Sequence, residues 1–119
     1  MELKQDCIRE VLLYLEKNSK LDNYISNVDI KLEGFSQDDI TYTIEKLAEG
    51  NIINVVSKTF DNEYLIKDIT FNGHQFLNTI RDDSVWKETK LRLSKVASVS
   101  LPVIQQVAST VLLTKLNLS

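Results

Sequence analysis

Four residues of this 119-residue sequence could do acid–base, nucleophilic or metal chemistry: His74, Cys7 and the adjacent carboxylates Asp82 and Asp83. A general base needs a nucleophile or an orienting carboxylate within hydrogen-bond reach, and the sequence nominates neither for His74, its only histidine. Its place in the first turn of a helix gives it a structural reading, with the ring packed on or capping a hairpin. Asp82 and Asp83 could form an acid/base pair or ligate a divalent cation. Next to a helix start they are better explained as caps that favour the positive end of the dipole, with Arg81 or a following lysine as an ionic partner. Cys7 falls on the apolar stripe of a helix, where a thiol packs as a small hydrophobe. One histidine and one distant cysteine are no metal-ligand cluster, and there is no Gly-rich phosphate loop, Gly-x-Ser-x-Gly elbow or His-Glu-x-x-His. We therefore expect no catalytic residue, cofactor, metal or small-molecule substrate, and no enzyme.

The elements that carry these residues can be read from periodicity. Leu3, Cys7, Ile8, Val11, Leu12 and Leu15 recur at helical spacing over residues 3–17, with charges mostly opposite. Residues 28–32 alternate apolar and charged side chains, which predicts a short half-buried strand that Gly34 ends. Ser36 then opens a second helix as N-cap, and Asp39 at its third position is a shorter relative of the capping-box glutamate. The stripe of this helix is Ile40, Ile44, Leu47 and Ala48, and Gly50 is its C′ residue. Two β-rich runs, 52–56 and 64–71, flank an Asp61-Asn62 turn and predict an antiparallel hairpin. Thr70 caps a helix over 71–81 that buries Phe76, Leu77 and Ile80. Another helix, with Trp86, Leu93, Val96 and Ala97 on one side, runs from Ser84 toward Ser98, and Pro102 opens the last, which reaches about Leu116.

Helix, strand, helix, strand, strand, then helices is the winged-helix order. The fold class expected is α+β: a winged-helix-like domain with a β-hairpin wing and additional C-terminal helices. Residues 21–27, where the helix before the recognition helix would lie, supply at most a single turn, so the helix-turn-helix is shortened. We expect the winged-helix-like domain over residues 1–97 and a packing or dimerisation helix over 98–119.

Two surfaces stand out once these elements are placed. With its stripe toward the core, the second helix turns Asp38, Tyr42, Glu45, Lys46 and Glu49 outward. In a DNA-binding winged helix this face would enter the major groove, yet it is acidic and lacks the cations that give most DNA affinity. It reads better as a protein-binding face. The opposing signal is basic: Lys58 in the wing, and Lys87, Lys90, Arg92 and Lys95, with Glu88 placed to pair with Arg92. Such a run is most simply a solvated face, but it could track a phosphate backbone or an acidic partner, the first half of a second copy included.

Charge and composition agree with this division. The net charge is −3, but residues 1–50 hold eleven acidic and six basic side chains, while residues 84–119 hold one acidic and five basic. With 43% hydrophobic and 26% charged residues the profile is globular. The lone Cys7, together with an N-terminus charged from the start, leads us to expect the reducing cytoplasm. Nineteen uncharged residues, 96–114, approach membrane-span length, but seven are Ser, Thr or Gln and Pro102 interrupts them, so no membrane association is expected.

Thr70-Phe71-Asn72-Gly73-His74-Gln75-Phe76-Leu77 resembles the step from wing strand to helix that many winged-helix regulators write as Thr-x-x-Gly-x-x-Phe-Leu. Gly73-His74-Gln75-Phe76-Leu77, followed by Ile80-Arg81-Asp82-Asp83 and Trp86, resembles an uncharacterised family of small phage and prophage proteins. Tyr42 and the Ser100-Leu101 entry to the last helix extend the likeness over nearly the whole chain. Where many members carry a histidine after that tyrosine, this chain has Thr43. The resemblance implies a bacterial host and a homodimer, for which the apolar stripe Ile104, Val107, Ala108, Val111 and Leu112 is the candidate seam. The function expected is a non-enzymatic interaction module that binds a protein and itself. The alternative is a DNA-binding regulator using Lys58 and the 87–95 cluster.

Overall fold

The computed structural model describes residues 1–97 and 99–117. Among them it is α+β, with five α-helices and a three-stranded antiparallel sheet. The chain divides into two compact units, Met1–His74 and Gln75–Ser119. The division expected between residues 97 and 98 falls at Ser98, which lies outside the described residues.

In the first unit, α1 (Gln5–Asn18) buries Cys7, Ile8, Val11, Leu12 and Leu15, the stripe its spacing predicts except for Leu3, which precedes the helix and is half-buried. It packs on α2 (Gln37–Glu49) and on the sheet strand β3 (Tyr64–Ile69). At full burial each leucine or isoleucine on these faces contributes about 2 kcal/mol. The ends of α2 are locally encoded. Ser36 Oγ accepts from the Asp39 amide at 3.0 Å, and Asp39 Oδ2 accepts from the Ser36 amide at 3.1 Å, which closes the capping box. Lys4 bonds the same carboxylate at 3.0 Å, and this contact with the Ser36 amide holds Asp39 below the usual carboxylate range. At the other end Gly50 is the C-cap at φ −85°, and Asn51, not Gly50, takes the left-handed conformation at φ 59°. The amides of Ile52 and Asn51 reach back to the carbonyls of Leu47 and Ala48, so α2 ends in a Schellman motif. Thr43 is buried on its stripe where Ala48 was expected, its hydroxyl donating to the Asp39 carbonyl at 2.8 Å.

The first strand differs from the sequence expectation. It is β1 (Ile25–Ser26), and a 3-10 turn (Asn27–Asp29) follows it, so the alternating residues 28–32 are not a strand and the turn comes after the strand. Ser26 Oγ accepts from the Val28 amide and caps the turn, while Asn27 inserts its side chain where the next ladder rung would lie. The hairpin of β2 (Ile53–Lys58) and β3 is as expected, and β1 adds to the far side of β3, giving the order β1-β3-β2. Register shifts leave Lys67 and Val56 as bulges. The connection closes with the Thr59 amide donating to the Glu63 carbonyl and Asn62 at φ 59°.

Thr70 caps α3 (Phe71–Ile80), its Oγ1 accepting from the Gly73 amide at 2.9 Å. A Cβ on Gly73 would stand 2.1 Å from the Ile52 carbonyl oxygen and 2.6 Å from Ile69 Cγ2. The Thr-x-x-Gly spacing therefore has a steric cause: the helix starts hard against the beginning of β2.

In the second unit, α4 (Asp83–Leu93) packs against α5 (Leu101–Lys115). Asp82 Oδ1 accepts from the amides of Ser84 and Val85 at 2.9 and 3.0 Å, the expected cap. The helix stops short of the expected Ser98. Ser94 keeps the helical bond to the Lys90 carbonyl, Lys95 and Val96 then unwind the chain through i→i−3 bonds, and Val96 and Ala97 are exposed rather than on the buried side. In α5, Ser100 is the N-cap, and Pro102 sits in the first turn, where its missing amide costs nothing. Among the described residues no helix is long and apolar enough to cross a membrane.

Candidate functional site

The outward face of α2 and the hairpin form one connected surface in the first unit. Of the five residues nominated on α2, Asp38 and Glu49 are exposed and Tyr42, Glu45 and Lys46 half-buried. Lys46 Nζ lies 3.2 Å from Glu49 Oε1, 3.9 Å from Glu45 Oε1 and 5.3 Å from the Tyr42 ring centroid. Its pKa is raised, chiefly by the bond to Glu49. Glu45 also accepts from the Tyr64 hydroxyl at 2.8 Å, and Lys58 Nζ stands 5.2 Å over the Tyr64 ring. Burial pushes the Tyr64 phenol up, and hydrogen bonding to that phenol raises Lys58. Lys58, nominated as a phosphate contact, is thus drawn into the aromatic and acidic surface of α2.

A second set of bonds, centred on Asn27, fixes the hairpin against α2. Asn27 is 1% exposed. Its Oδ1 accepts from the Tyr64 amide at 2.7 Å, and its Nδ2 donates to Thr41 Oγ1 at 2.7 Å and to the Asn62 carbonyl at 3.0 Å. Gln37 of α2 donates to the Asn27 carbonyl at 2.9 Å, and Ser26 Oγ donates to Glu63 at 2.7 Å. Both amide protons of Asn27 are used, so this buried side chain is satisfied and ties the 3-10 turn, α2 and the hairpin together. Sequence reasoning missed Asn27. An Asn within a polar stretch gives no periodic signal, and its side-chain partners lie 14 to 37 residues away.

The remaining nominated residues are in the second unit. Lys87 and Lys95 are exposed, Lys90 lies 5.9 Å from the Trp86 ring centroid, and Arg92 pairs with Glu88 at 3.8 Å as expected. Lys95 lies beyond the end of α4. On α5, Ile104, Ala108 and Val111 are buried within the chain, while Val107 and Leu112 are half-buried. His74 is exposed, so its ring is not packed on the hairpin; the backbone amide makes the helical bond to the Thr70 carbonyl. Bonding to the Ser84 hydroxyl and the Val85 amide holds Asp82 below the usual carboxylate range. Among the described residues, no group of three or more His, Cys, Asp or Glu is arranged to hold a metal ion.

The fold and this surface define a small α+β protein that sets a polar-aromatic helix face against a clasped hairpin. The chain belongs to the family described as Hypothetical protein (DUF2513), which it matches over residues 2–100. The match ends at the N-cap of α5. An uncharacterized protein of Haemophilus influenzae is 31% identical over 115 residues, covering 94% of this chain and 96% of that relative. No solved structure matches the chain.

Proposed function

We propose that the protein is a non-enzymatic, winged-helix-like interaction module that binds a protein through α2 and the hairpin, and that it self-associates. The winged-helix assignment is supported by the element order and by β1 pairing with β3, the helix before α2 being reduced to the 3-10 turn. The observation that carries the protein-binding reading is the state of the two cations on the surface. Lys46 is held by Glu49 and Tyr42, and Lys58, although exposed, lies over the Tyr64 ring whose hydroxyl is bonded to Glu45, so the surroundings of both are acidic and disfavour phosphate. Asp82, one of the two candidate carboxylates, is engaged in capping, which supports a non-enzymatic role. The phage or prophage origin rests on the resemblance of the Gly73–Trp86 region. The cytoplasm of a bacterial host is supported by a free, buried Cys7 and a bacterial relative.

The second reading, a DNA-binding regulator, is favoured by the exposure of Lys87 and Lys95. A salt-titrated DNA-binding assay separates the two. The protein-binding reading expects no more than weak, non-specific affinity, with Kd of about 10⁻⁶–10⁻⁴ M or weaker at physiological salt. Tight binding that falls steeply with salt and disappears in Lys87→Glu/Lys90→Glu would replace it with the DNA-binding one.

A further inference from the structure

We propose that the partner of the α2–hairpin surface is a second copy of this chain, which docks with the basic, apolar surface of α4 and the turn after it. The inference rests on the protein-binding reading above and names its partner. The two units carry opposite charge: Met1–His74 has fourteen acidic and eight basic side chains, Gln75–Ser119 three acidic and six basic. Each unit also exposes large apolar side chains among its charges. In the first, Phe60 stands fully exposed at the hairpin turn next to Asp61, and Val56 is lifted out by the bulge in β2. In the second, Leu91 is 61% exposed between Lys90 and Arg92, and Val96 is 55% exposed next to Lys95. Lys87 and Leu91 are four residues apart on α4 and share a face.

Apolar anchors rimmed by one sign of charge, facing apolar anchors rimmed by the other, are the complementarity that protein interfaces use for both burial and steering. The two cations on the receiving surface do not reverse its sign, because Lys46 is paired with Glu49 at 3.2 Å, and Lys58 over the Tyr64 ring is outnumbered by Asp38, Glu45 and Asp61. The α5 stripe is a poorer seam, since Ile104, Ala108 and Val111 are buried within one chain.

The test is the mass of the full chain in solution by sedimentation velocity and light scattering. At roughly 100 µM protein and about 50 mM NaCl the wild type associates, and about 500 mM NaCl weakens association roughly tenfold or more. Lys87→Glu/Lys95→Glu and, separately, Asp38→Lys/Glu49→Lys are monomeric under the low-salt conditions, with melting curves showing that each is folded. Mixing the two variants restores association, because the reversed charges again face opposite signs. A monomeric wild type, undiminished association of either variant, or a mixture that stays monomeric overturns the inference. The DNA titration is read independently on the same samples, so a monomeric wild type that binds no DNA refutes the second-copy partner without touching the protein-binding reading.

Discussion

Replacing Asn27 by alanine removes the clasp while leaving every apolar contact of the first unit in place. The Tyr64 amide then loses its acceptor at 2.7 Å in a buried position, and an orphaned buried donor costs about 1–3 kcal/mol. The two Nδ2 bonds, to Thr41 and Asn62, are worth about 1 kcal/mol each, partly recovered because water reaches the exposed Asn62. The expected loss is therefore about 2–4 kcal/mol, a large fraction of the stability of a small domain. Urea unfolding of the two proteins followed by circular dichroism gives this difference, and Thr41→Val, which takes the acceptor from one buried Asn27 Nδ2 proton and a longer 3.4 Å bond from Gln37, should cost about 1–3 kcal/mol, less than Asn27→Ala. Hydrogen exchange adds a local readout, with the Tyr64 amide exchanging faster in Asn27→Ala than in the wild type. A loss below about 0.5 kcal/mol with unchanged exchange at Tyr64 would refute the reasoning, since it would mean that the hairpin is held by side-chain packing alone.

Three further outcomes follow from the same structure. Gly73→Ala forces a methyl onto the Ile52 carbonyl, which cannot rotate away, and should destabilise by about 3 kcal/mol or more in the same urea assay. Asn51→Gly should be neutral or slightly stabilising, whereas Asn51→Val, a β-branched residue at positive φ, should cost about 1–2 kcal/mol by thermal melting. Asp82 and Asp39 have folded pKa values below the ordinary 3.8, so their contribution is complete above that pH and is lost as pH falls through the lowered values. Acid titration of Asp82→Asn should accordingly show a shallower fall in stability below that pH than the wild type, and an identical slope would count against the cap.

What could be read from the sequence was local. The Ser36–Asp39 box, the Thr70 cap, the Asp82 cap and the hairpin are all set by residues within a few positions of one another, and each is where the pattern placed it. The misplaced strand shows the limit. Residues 28–32 alternate as a strand should, but the chain at Asn27 satisfies its partners through a side chain and turns, and those partners are remote. Gly50 and Asn51 illustrate a smaller version: both suit a helix end, and only the geometry of the Ile52 amide decides which takes positive φ. Of the nominated surfaces, the α2 face was legible from its periodicity, while the link from Glu45 through Tyr64 to Lys58 was not, because pattern alone does not pair a helix face with a particular strand position.

Cys7 is wholly enclosed in the core of the first unit, its thiol 3.8 Å from the Asp39 carbonyl and pushed up in pKa by burial. The protein thus carries an internal clock for its own breathing. With no other cysteine in the chain, any thiol reagent that reacts reports an excursion in which α1 has come away from α2, and the reaction rate relative to an unstructured thiol converts directly into the free energy of that opening.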